Sequence, residues 1–127
     1  MIIQHDEQPA KRGYYSKILN RPILGVDQGL ATCTIVDQII PAGGYIVPHF
    51  HDYEEVLTFI AGAVSVRLND VTFEVSAPAS VLIPAGALHD VRNPGGQPAR
   101  LIAYHATTAP HNHYPAGDLA PVDWDAE

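Results

Sequence analysis

The chain has 127 residues, 46% hydrophobic and 17% charged, a length and balance that fit one globular domain with its own core and exclude a disordered chain. Its 14 acidic and 7 basic side chains leave a formal charge of −7, a surface that repels phosphate backbones and anionic lipid heads and sets nucleic acid and membrane aside as partners. No N-terminal apolar stretch is long enough for a signal peptide and none approaches a membrane span, so a cytoplasmic location is the expectation.

Eleven prolines and ten glycines disfavour long helices and point to short strands joined by turns. Residues 1–25 read as an N-terminal arm, mostly polar through Arg21 with one edge strand, followed by a short strand at Pro22 to Gly25. Ala31 to Ile40 follows, rich in Thr, Val and Ile, and closes at the turn from Pro41 to Gly44. Further strands are expected at Tyr45 to His51, Val56 to Ile60, Val64 to Leu68, Thr72 to Val75, Val81 to Ile83, His89 to Arg92 and Arg100 to Ala106. Turn residues separate them at Gly62, Asn69 to Asp70, Pro78, Pro84 to Gly86 and Asn93 to Gly96. Strands at such short intervals indicate a sandwich or closed barrel with a core at about 31–107. Residues 108–127 read as a tail packed loosely over it. Cys33 has no partner for an internal disulfide and reads as a small buried hydrophobe.

Two segments carry chemistry. His49 and His51 are two apart, so strand alternation puts both rings on one face, about 6 to 7 Å apart along the chain. Glu55 follows after a turn-length gap; Leu57 and Phe59 share its parity, and Glu54 should face away. Taken alone, the two histidines fit a solvated surface pair as well as a ligand pair. In the second segment Pro84 and Gly86 form a turn into a strand beginning at His89. His89, Val91 and Asn93 then point one way, Asp90 and Arg92 the other. If the first set faces inward, His89 and Asn93 need partners there.

These segments resemble the two motifs of the cupin superfamily. Gly43, His49, His51, Glu55 and Gly62 match every position of the first. Pro84, Gly86, His89 and Asn93 match the second, whose opening glycine is Pro78 here, a change that bears on the hairpin entering the Val81 strand. The resemblance implies one all-β domain over 1–127, a double-stranded β-helix or jelly-roll barrel. It further implies that His49, His51, Glu55 and His89 ligate one divalent transition metal ion. Three imidazoles and a carboxylate suit Fe, Mn, Ni, Cu or Zn better than calcium or magnesium.

The function so implied is a metal-dependent enzyme acting on a small organic molecule, with an iron(II) dioxygenase placed first. An oxygen-independent isomerase, lyase or cyclase is the alternative, and it needs a proton carrier, for which Tyr53, Tyr104 and His105 are candidates. A non-catalytic binding or sensory module is the third reading. Tyr45, Phe50, Gln38 and Arg67 are weaker candidates for the pocket. His111 and His113 repeat the His-x-His spacing, but no acidic residue follows at a comparable interval, so a mobile tail is expected there and not a second metal site. The resemblance also implies a homodimer, with residues 1–25 as the likeliest contributors.

Overall fold

A computed structural model describes residues 1–115; the acidic end of the expected tail lies outside the described residues. Ten strands run in chain order: β1 Lys11–Arg12, β2 Leu19–Leu24, β3 Thr34–Ile40, β4 Tyr45–His49, β5 Glu55–Ala61, β6 Ala63–Leu68, β7 Val71–Ser76, β8 Ala79–Ile83, β9 His89–Arg92 and β10 Ala99–His105. They form two antiparallel sheets, one of six strands in the order β1-β2-β3-β10-β5-β8, the other of four in the order β4-β9-β6-β7. This is the double-stranded β-helix.

Alternation in β5 and β10 sorts the interior. Glu55, Leu57 and Phe59 are buried while Val56, Thr58 and Ile60 are more exposed; Ala99, Leu101, Ala103 and His105 are buried between exposed or half-buried neighbours. The register sets Phe59 beside Leu101, Leu57 beside Ala103 and Glu55 beside His105. Apolar pairs thus fill one end of the barrel and a polar pair stands at the other. Phe59, Ile40, Leu101, Val64, Val66 and Val91 are all almost fully buried, and each such side chain stabilises the fold by about 1.5–3 kcal/mol relative to exposure.

Two turns set the barrel's ends. Gly62 has φ +83°, and a Cβ there would stand 2.6 Å from the Pro98 carbonyl oxygen and 2.7 Å from Ala99 Cα, so only glycine lets β5 turn into β6 against the start of β10. Gly86 has φ +81°, and its N–H donates to the His51 carbonyl at 2.7 Å, tying the turn before β9 to the loop that carries His51. At the apolar end Asn93 is satisfied by backbone alone. Its Nδ2 donates to the Ile40 and Gln97 carbonyls, and its Oδ1 accepts from Gly95 N–H. The Ala77–Pro78 peptide is cis, in the connection that carries the chain from β7 in the small sheet to β8 in the large one, so the segment before the Val81 strand is a crossing between sheets and not a hairpin.

Several expectations change. The N-terminal arm supplies the two strands expected of it to the larger sheet, but Ile18 and Ile23 are only 3% exposed, so the core begins well before residue 31. Within one chain, β2 pairs with β3; the segment marked for contact with a second copy belongs first to its own sheet. Asp90 shares the outward parity of Arg92 yet is buried, because Arg67 covers it with an ion pair of 2.7 Å. Arg67 is therefore spent on the outside of the small sheet and does not reach the interior. Cys33 is half-buried and precedes β3. The tail residues around His113 are not loose: Phe50 and His113 form a β-bridge, with hydrogen bonds in both directions.

Candidate metal centre

Sheet pairing assembles the site. His49 in β4 lies opposite His89 in β9, and Glu55 opens β5 across from them. The β4 ladder stops at His49, two residues short of the expected strand. The chain nevertheless stays extended through Phe50, held by His113, so the parity argument survives and His51 turns inward beside His49. The ring centroids of His49 and His51 are 4.8 Å apart, those of His49 and His89 4.2 Å. One ligand atom from each of His49, His51, Glu55 and His89 lies within 4.8 Å of the others, and none of the four residues is more than 5% exposed.

The hydrogen bonds fix which nitrogens face the centre. Nδ1 of His49 donates to the Val47 carbonyl at 2.7 Å, Nδ1 of His89 to Ala87 at 2.9 Å and Nδ1 of His51 to His111 at 2.8 Å. A carbonyl can only accept, so each Nδ1 carries a proton, which leaves Nε2 as the donor atom for an ion. His51 Nε2 is buried without a hydrogen bond, although it stands 3.2 Å from Glu55 Oε1; His89 Nε2 is 3.1 Å from the same oxygen. Burial, with neighbouring His89 adding to it, pushes His49 down to about 3, so its Nε2 holds a lone pair near neutral pH. Burial would raise the Glu55 carboxyl, and hydrogen bonds from His51 and His89 hold it well below the usual carboxylate range only with a proton on each Nε2; with the protons on Nδ1, a cation facing the lone pairs takes that part. Buried lone pairs converging on an ionised carboxylate repel one another unless a cation stands among them. The donor set fits a transition metal ion.

The site opens into a cavity of about 470 Å³, lined by apolar Ile18, Val36, Ile46 and Leu57 and by polar Asn20 and Gln38, with the three histidines and Glu55 in its wall. Gln38 reaches this space, where its Nε2 donates to Asn20 Oδ1 at 2.7 Å, and Tyr45 lines it too. Phe50 turns away and stacks on His113.

The three candidate proton carriers separate. His105 lines the cavity, with Nε2 3.3 Å from Glu55 Oε2 and its Nδ1 buried without a partner. Burial pushes His105 down from its ordinary value. Tyr53 stacks on His51, its hydroxyl 3.1 Å from His51 Nδ1 and accepting from His111 N–H. Burial pushes the phenol up to about 12, so it stays protonated and braces His51. Tyr104 is a correction: it alternates with buried Ala103 and His105, projects from the outer face and is 38% exposed. The His111 carbonyl that fixes His51 went unnoticed in the sequence, since a backbone oxygen carries no residue signature.

The family model described as a cupin domain matches residues 36–105, which takes in both motif segments. The chain belongs to the cupin domain family. Among curated relatives, this cupin is 30% identical over 126 residues to Protein SchB of Streptomyces halstedii, covering 96% of this chain and 85% of that one. It is 28% identical over 110 residues to polyketide synthase CurC of Streptomyces cyaneus, covering 85% and 69%. Among solved structures, the polyketide cyclase RemF from Streptomyces resistomycificus superposes with a TM-score of 0.78 at 19% identity, over 95% of this chain and 86% of that one. KdgF from Halomonas sp. gives 0.71 at 13%, over 84% and 93%. At such identities the structural neighbours speak for the fold. No helix among the described residues is long and apolar enough to cross a membrane.

Proposed function

We propose that this cupin is a metal-dependent enzyme that closes a ring in a polyketide-like substrate, without an oxidant. The observation that carries the reading is the juxtaposition of the His49, His51, Glu55 and His89 group with His105 on one cavity wall. The name of the curated relative CurC supports a polyketide as substrate class, and RemF is a cyclase on the same fold.

A divalent ion held by those four residues would act as a Lewis acid on a chelating pair of carbonyl oxygens. His105 then takes a proton from the carbon between two carbonyls. The carbon so freed bonds to a second carbonyl carbon of the same molecule, whose oxygen becomes a hydroxyl on receiving the proton back. Loss of water completes the ring, so product and water together equal the substrate. Ile18, Val36, Ile46 and Leu57 present an apolar wall that favours a folded chain over a solvated one. Tyr53 holds His51 in place.

The reading with iron(II) and dioxygen, first in expectation, has no observation specific to it, and the same experiment separates the two. Chelator-stripped protein is loaded with zinc, manganese or iron(II) under anaerobic conditions and given a synthetic poly-β-ketone. A cyclised product lighter by one water, formed without oxygen, supports the proposal. Product formed only with oxygen uptake restores the dioxygenase, and binding without turnover under every metal leaves a sensory module. We also carry the homodimer as a proposal, tested by sedimentation of the full chain.

A further inference from the structure

We propose that Asp52, His111 and His113 form a second transition-metal site, which clasps the segment after β10 over the mouth of the cavity. His113 Nε2 is 2.8 Å from Asp52 Oδ2, His111 Nε2 is 3.4 Å from the same oxygen, and the two ring nitrogens are 3.2 Å apart. Donor atoms bound at about 2.0–2.2 Å on one face of a tetrahedral or octahedral ion are separated by roughly 2.9–3.5 Å. The triangle therefore has the dimensions of a ligand set.

His111 Nδ1 is 3.2 Å from the Ala109 carbonyl, an acceptor, which puts the proton on Nδ1 and a lone pair on Nε2. A single proton on His113 Nε2 can serve Asp52 or His111, not both well; one cation serves all three. The same local device recurs in the buried group, where His49 bonds the Val47 carbonyl and His89 the Ala87 carbonyl. In each case a ring leans on the carbonyl two residues earlier and presents Nε2. The acidic partner that the sequence did not supply after His113 comes from the loop after β4, brought there by the Phe50–His113 bridge.

Two imidazoles and one carboxylate suit zinc, cobalt, nickel or copper, and three protein donors leave a position for water. Half-exposed His111 and exposed Asp52 keep the site open to solvent. Its consequence lies inside: Pro110, His111 and Asn112 line the cavity, and the His111 carbonyl accepts from His51 Nδ1. An ion here fixes that wall and that carbonyl.

The test is zinc uptake by the chelator-stripped full chain, dialysed against micromolar zinc and read by elemental analysis. The expected result is about two ions in the wild type, one fewer in both His111→Ala/His113→Ala and Asp52→Asn, and one retained in His49→Ala/His89→Ala. Equal uptake by the wild type and His111→Ala/His113→Ala overturns the site. If His49→Ala/His89→Ala does not fold, Asp52→Asn decides: full retention of zinc overturns the site, and loss of one ion supports it. Failure of the buried group reads differently, as His49→Ala/His89→Ala keeping every ion.

Discussion

Glu55 and His105 lie opposite one another in the β5–β10 ladder, and His105 Nε2 stands 3.3 Å from Glu55 Oε2 while Oε1 of the same carboxylate faces His51 and His89. One carboxylate thus addresses both the candidate metal centre and the candidate proton carrier. Because a carboxylate accepts, it favours the tautomer of His105 with the proton on Nε2 and a lone pair on the buried Nδ1.

His105→Gln should therefore cut turnover by about 100-fold while leaving metal content unchanged. Glutamine fills the space and keeps a polar contact to Glu55 but cannot take up a proton. Steady-state kinetics beside elemental analysis checks this; parallel loss of metal would make His105 a ligand or a support for one instead.

Tyr53→Phe keeps the ring stacked on His51 and removes only the hydroxyl that meets His51 Nδ1 and His111 N–H. Orienting groups of this kind are worth about 10-fold or more in metal affinity. We expect weaker binding of about that size by competition with a chromophoric chelator, with the melting temperature little changed.

The ligand group was legible because its four residues obey strand parity and fixed spacing, and because β-strands keep that parity even where a ladder stops, as at Phe50. The strands from β3 to β10 were legible for the same reason, their ends set by Pro and Gly. What escaped notice depends on contacts across the fold. The strand expected at Pro22 to Gly25 begins three residues earlier, at Leu19, because β3 offers a partner to Asn20 and Pro22, poor strand formers by themselves. Asp90 is buried by Arg67 from another strand, and Asp52 meets His111 and His113 only after the chain has closed, so no local spacing announces either pairing.

Gly62 and Gly86 share a positive φ but differ in what surrounds them, which makes a matched pair. Alanine at Gly86 meets nothing within 4 Å and should cost only the strained backbone, about 1–3 kcal/mol. Alanine at Gly62 adds a clash with the Pro98 carbonyl and should cost about 2–5 kcal/mol in total. Urea denaturation of the two variants checks the order. Equal losses would mean that the β6 turn relaxes away from β10.

Asp37 supplies the pH prediction. It is 1% exposed on the outer side of β3, accepts from Arg100 Nε at 3.0 Å and Nη2 at 2.6 Å, and meets His5 Nδ1 at 2.6 Å. Burial alone would raise this carboxyl, yet the hydrogen bonds from Arg100 and His5 outweigh it and hold it below the ordinary range. A carboxyl depressed in the fold and ordinary in the unfolded chain adds stability above the unfolded value, about 3.9, and that contribution is lost as pH falls through the folded value. Asp37→Asn should then lower stability by about 1–3 kcal/mol near neutral pH, since a neutral amide replaces a charged acceptor while Arg100 and His5 keep partial access to water. The gap between variant and wild type should narrow only below about pH 4. Thermal melts across that range decide it, and a gap that stays constant down to about pH 2 would show that the ion pair contributes nothing through its charge.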